Sequence, residues 1–268
     1  MNENIAATFL IVFREALEAG LIVGIIFTVL NRLKAMRYAS HVIVSVAAAI
    51  LCSFMIAWVF NNATENASET ANQIIETLVS FIACGVLTYM VFWMEKQARN
   101  IKSEIENRLQ NAISNSELAV IISLPFLAVL REGFETVLFL KAIALKTSQA
   151  VSWIGGLSGF GLAAVISCLI FVFGKRVPLK PFFKFTGFFL ILIAGGLLAY
   201  GVHEANELGW IPSGIEHVWN INHILNEKEG IGSFLKALFG YNGNPSLTEV
   251  LAYLIYMSTI GWMLKKSS

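Results

Sequence analysis

The chain has 268 residues, of which 56% are hydrophobic and 14% charged, with a formal net charge of +1. Soluble domains carry roughly a quarter of charged residues, so this balance excludes an ordinary water-soluble enzyme or binding module and leaves a polytopic membrane protein. The three cysteines, Cys52, Cys84 and Cys168, lie in apolar segments without CxxC spacing, so neither a disulfide framework nor a thiolate metal site is indicated.

Allowing about 20 apolar residues per crossing, seven transmembrane helices are predicted, at 5–30, 41–60, 74–94, 118–145, 153–174, 182–203 and 247–264. The first is no signal peptide: it lacks a basic leader, runs well past 15 residues and carries Arg14 in its middle. Basic residues follow the first, third and fifth spans: Arg32, Lys34 and Arg37; Lys96, Arg99, Lys102 and Arg108; Lys175, Arg176, Lys180 and Lys184. The tail adds Lys265 and Lys266, whereas the loop 61–73 has no lysine or arginine. Positive charge stays on the cytoplasmic side, so the N-terminus is expected outside and the C-terminus inside. Segment 95–117 reads as a solvated helical connector. Within the long outer loop 204–246, the short apolar run 231–239 cannot span and is expected to lie at the interface.

Two strings stand out, Arg14-Glu15-Ala16-Leu17-Glu18 and Arg131-Glu132-Gly133-Phe134-Glu135, each near the middle of a predicted span. Charges at that depth cost at least about 2.5–3.5 kcal/mol each on insertion scales unless partners compensate, so ionisable residues there are functional by default. The first span runs inward and the fourth outward, and Leu17 aligns with Phe134 and Leu21 with Leu138. The expected fold is therefore an all-α polytopic membrane protein with a 3+3 inverted repeat: repeat one 1–94, connector 95–117, repeat two 118–203, outer loop 204–246, and an extra seventh helix in 247–268. Such repeats place binding sites near the midplane, between the halves.

In a helix the arginine of each string lies four residues before its second glutamate, so Arg14, Glu15 and Glu18 approach one face, as do Arg131, Glu132 and Glu135. If the two helices pack together, four carboxylates and two guanidiniums converge with a formal charge of −2, a site for a cation. Carboxylate oxygens suit hard ions; soft ions want sulfur, and zinc or copper want histidine. Ferric iron comes first, with Fe2+, manganese, magnesium and calcium disfavoured. Arg14 and Arg131 cannot ligate a metal and are expected to orient the glutamates through charge-assisted bonds. Gly20 and Gly24 would let another helix approach closely. At the outer end of the sixth span, His203, Glu204 and Glu207 form a possible capture site, with Glu65, Glu69 or Glu76 as helpers; Glu95 could assist release inside. The bland alternatives are Arg–Glu pairs gluing helices and a polar helix end.

With both motifs in hand, the chain resembles the oxidase-dependent iron transporter family, which includes the high-affinity iron permeases of fungi and bacterial EfeU-like permeases. The family's REGLE-type motif matches as REALE at 14–18 and REGFE at 131–135, and Gly201-Val202-His203-Glu204 with Gly209-Trp210-Ile211-Pro212 is similar to a stretch of bacterial members. The resemblance implies that Glu15, Glu18, Glu132 and Glu135 carry translocated iron, supported by Arg14 and Arg131. Ala16 and Phe134 depart from the family pattern at positions that do not ligate. It also implies an extracytoplasmic ferroxidase, peroxidase-like or iron-binding partner. No cofactor is expected, iron being the transported substrate, and no nucleic acid is expected as a partner. The setting is a lipid bilayer, expected to be a bacterial inner membrane. Alternatives are a permease for another cation (Fe2+, Pb2+ or Mn2+), an assembly subunit, and an intramembrane metalloenzyme, against which stand the absent HExxH and the absent nucleophile–base pair.

Overall fold

In a computed structural model the described residues, 4–65, 68–97, 101–115, 117–147, 150–171, 179–227 and 229–267, contain helices and no strand. The helices are α1 (Ile5–Arg32), α2 (Ala39–Glu65), α3 (Glu69–Gln97), α4 (Ile101–Ser114), α5 (Leu118–Thr147), α6 (Trp153–Phe171), α7 (Leu179–Glu207), α8 (Gly230–Phe239) and α9 (Leu247–Ser267), with one 3-10 turn at Met36–Tyr38. Five, α2, α3, α6, α7 and α9, are long and apolar enough to cross a membrane. At 28 and 30 residues, α1 and α5 are as long but carry the charged motifs. A rise of 1.5 Å per residue gives each roughly 40 Å, more than the ~30 Å hydrocarbon layer. The last residues of the predicted fifth span, 172–174, lie outside the described residues.

Small residues set the pairings. A Cβ on Gly155 would stand 2.5 Å from the Ile5 carbonyl oxygen, and one on Gly159 would stand 2.7 Å from that of Phe9. Further along, Ala163 packs with Phe13 and Leu17, and Gly20 and Gly24 admit Ser167 and Phe171. Because these contacts advance together, α1 runs parallel to the apolar α6 from end to end. The same holds for α5 and α2. Ile122 and Phe126 line a groove with His41 and Ala48, Gly133 receives the Ser53 side chain, and Lys141 Nζ donates to Thr64 Oγ1 at 2.8 Å. By contrast α3 and α7 are antiparallel, with Glu76 beside Tyr200, Phe81 against Gly201 and Val91 against Gly187. Of its most apolar stretch α7 buries 72%, against 17% for α2, α6 and α9, so α7 is central and those three present apolar faces outward. Such faces, with Phe54, Trp58, Leu157, Phe160 and Ile255 exposed, suit lipid.

Two apolar clusters close the bundle on either side of the motifs. At one end Ala7 and Ile11 of α1, Leu87 and Met90 of α3, Phe139 and Ile143 of α5 and Ile193 and Leu197 of α7 pack with Ala237 and Leu238 of α8. At the other, Ile26, Val29 and Leu30 of α1 and Ile121 of α5 pack with Ile105, Leu109 and Ala112 of α4. The connector is thus no simple solvated extension: its apolar residues at i, i+4 and i+7 form a buried stripe. Likewise the run 231–239 is a helix docked on the bundle through Gly232, Ser233, Ala237 and Leu238. It ends in a left-handed Gly240 (φ 72°), where the Gly240 and Tyr241 N–H groups donate back to the Lys236 and Leu235 carbonyls.

Candidate metal site

The R-E-x-x-E spacing acts first within each helix. Arg14 Nη2 lies 3.0 Å from Glu18 Oε1, and Arg131 Nε donates to Glu135 Oε1 at 2.8 Å, both i,i+4 pairs. Arg14 also reaches Glu15, its Nη1 donating to Oε1 at 3.0 Å. In α5, Pro125 has no N–H to offer the Ile121 carbonyl, which loosens the helix two turns before the second motif.

Packing of α1 against α5 then brings carboxylates from both motifs together. Glu15, Glu132 and Glu135, all buried, offer oxygens that lie within 4.8 Å of one another, and among the described residues this is the group of acids, histidines and cysteines that converges closely enough to hold a metal ion. Glu15 Oε2, Glu132 Oε2 and Glu135 Oε2 are each buried without a hydrogen-bond partner. An unsatisfied buried polar group costs about 1–3 kcal/mol, more when charged, so three on one site demand a cation or protons. The donor set is oxygen throughout, which suits a hard ion. Glu18 is also buried but stands beside Arg14 rather than in the trio; its Oε1 is near the guanidinium without the alignment of a hydrogen bond.

Helix α3 completes the site with two residues that the sequence did not single out. Arg14 Nη1 donates to Met90 Sδ at 3.4 Å, and the Arg131 guanidinium lies over the Trp93 ring, 4.6 Å from its centroid. A methionine and a tryptophan in an apolar span look like packing residues; their spacing of three was the available signal.

The sequence-predicted outer group is divided between two networks. His203 Nδ1 lies 3.1 Å from Glu249 Oε1 and Nε2 lies 3.4 Å from Glu207 Oε1, so both ring nitrogens face carboxylates and the Glu249 contact ties α7 to α9. Glu207 also accepts from Gln73 Nε2 at 3.2 Å. Glu204, buried, instead lies beside the Tyr200 hydroxyl, which donates to Glu76 of α3. Glu69 is exposed, and the side chains of Glu65 and Glu95 lie outside the described residues.

The sequence matches the iron permease FTR1 family over residues 5–265. It is 32% identical to the ferrous iron permease EfeU of Yersinia pestis, over 93% of this chain and 89% of that one. It is also 32% identical to the ferrous iron permease EfeU of Escherichia coli O6:H1, over 93% of this chain and 91% of the relative. No solved structure matches. Family match and apolar helices together make this a multi-pass membrane protein, a transporter rather than an enzyme, and the chain belongs to the iron permease FTR1 family.

Proposed function

We propose that the chain imports iron across a plasma membrane, the bacterial inner membrane, through the carboxylates of Glu15, Glu132 and Glu135, with Glu18 as a fourth acid and Arg14 and Arg131 as supports. The observation that carries this is the meeting of three buried carboxylates from two helices, each of which also has an oxygen without a hydrogen-bond partner. Seven crossings with the N-terminus outside accord with the parallel run of α1 along α6 and of α5 along α2. So does the pairing of helices: exchanging α1–α4 for α5–α8 turns the α1/α6 contact into α5/α2 and leaves α3/α7 and α1/α5 as they are. In this orientation α8 lies outside and α4 inside. Glu204 with Glu76, more than the doubly engaged His203, meets an incoming ion. An extracytoplasmic ferroxidase, peroxidase-like or iron-binding protein delivers it.

Oxygen-only donors favour Fe3+ as the form bound. Fe2+ is the second reading, favoured by the relatives' names and by the −2 charge of four glutamates and two arginines, which a divalent ion neutralises. Radioactive iron uptake into proteoliposomes containing this protein alone, with iron offered oxidised or under reductant, decides between them. Glu15→Gln and Glu135→Gln are expected to abolish uptake at equal reconstituted amounts; unchanged uptake per molecule in both would reduce the motifs to helix contacts.

A further inference from the structure

We infer that Met90 and Trp93 are positioning residues for transport: one turn of α3 holds the arginines of both motifs. This rests on the glutamates being the iron site. The two arginines come from different helices, yet their second partners are three residues apart on one helix and so share a face. Arg14 is 1% exposed and Met90 is 1% exposed, so water does not take the place of the thioether for that N–H. Both partners are polarisable and uncharged. They hold a guanidinium without neutralising it, through an N–H to sulfur contact at one and a cation–π contact at the other.

What this arrangement does follows from competition. The oxygens that bind Arg14 and Arg131 belong to the same carboxylates that would bind iron. An entering ion takes carboxylate lone pairs that the guanidinium N–H groups were using, and a guanidinium left without an acceptor resists the exchange. Met90 and Trp93 give each arginine a second foothold, so it can yield a carboxylate oxygen and remain held until the ion departs. The arginines then reclaim the glutamates.

The test is iron-dependent uptake in proteoliposomes, normalised to reconstituted protein, for Met90→Leu, Trp93→Leu and Trp93→Tyr beside Glu135→Gln. Met90→Leu conserves volume, so a purely packing methionine tolerates it. The expected result is a KM for iron raised roughly fivefold in Met90→Leu and Trp93→Leu, the scale of one part-exposed cation–π contact or one contact to sulfur, with the maximal rate changed less. Trp93→Tyr, which keeps an aromatic face, restores most of the loss. In an Arg131→Gln background Trp93→Leu adds nothing, as a residue acting through that arginine requires. Unchanged KM in both leucine variants overturns the inference, as does a Trp93→Tyr variant no better than Trp93→Leu. Normal uptake by Glu135→Gln would sink the metal assignment and this inference with it; loss in Glu135→Gln alongside unaffected Met90→Leu and Trp93→Leu would remove only the arginine-holding role.

Discussion

The two motifs share one pattern and occupy different surroundings. In the first, the Arg14 side chain is 2% exposed and faces both Glu15 and Glu18; in the second, the Arg131 side chain is 39% exposed and, among the described residues, forms an ion pair with Glu135 alone. Glu132 makes no ion pair among the described residues, yet it joins the converging trio, whereas Glu18 is held back beside Arg14. Equal sequence therefore produces unequal roles: motif two supplies two of the three converging carboxylates and motif one supplies one carboxylate and the buried countercharge.

Neutralising single acids tests this asymmetry most severely. Glu15→Gln, Glu132→Gln and Glu135→Gln are each expected to lower iron uptake by roughly a hundredfold or more, beyond the usual loss on disturbing residues behind a metal ligand. Glu18→Gln is expected to retain a measurable fraction. Equal loss in all four would show that the trio and Glu18 act alike during transport.

Removing the arginines separates their burial. Arg14→Gln leaves two buried acids without their partner and is expected to destabilise the protein by about 3–5 kcal/mol. Arg131→Gln, part-exposed and paired once, should cost about 1 kcal/mol or less. Thermal unfolding in detergent, read in parallel for both variants, checks the order; similar shifts would mean that Arg131 is enclosed by lipid or a neighbouring chain.

A smaller effect attends the helix contacts. A Cβ on Gly133 would meet the Ser53 hydroxyl and come within 2.7 Å of Ser53 Cβ, whereas one on Gly161 of α6 meets nothing within 4 Å. Gly133→Ala is expected to cost about 1–3 kcal/mol by overpacking. Gly161→Ala should be neutral or slightly stabilising, because alanine is the better helix former. The same unfolding assay distinguishes them.

Much of this was legible from sequence because it is local. The i,i+4 ion pairs follow from helical periodicity alone, and Gly20 and Gly24 face a neighbour as small residues in a span should. Which three glutamates converge was not legible, since that depends on how far α1 and α5 are rotated against each other. Residues 203, 204 and 207 read as one cluster, but neighbours in a helix point about 100° apart, and Glu204 accordingly found Tyr200 while His203 found Glu249. The stripe of Ile105, Leu109 and Ala112 was visible and hidden only by the charges around it. Met90 and Trp93 offered only their spacing of three, because their role is defined by arginines on other helices.

The glycine that ends α8 gives the fold a point of mechanical leverage. Gly240 sits against Gly196 of the central helix so closely that a Cβ on Gly196 would lie 2.5 Å from the Gly240 Cα and 2.5 Å from Nζ of the buried Lys146. One added methyl group is therefore a wedge. Gly196→Ala must lift the C-terminal end of α8 away from the apolar cluster that caps the bundle, and a cysteine at position 139 or 193 would then become reactive to a water-soluble thiol reagent that cannot reach it in the unwedged protein.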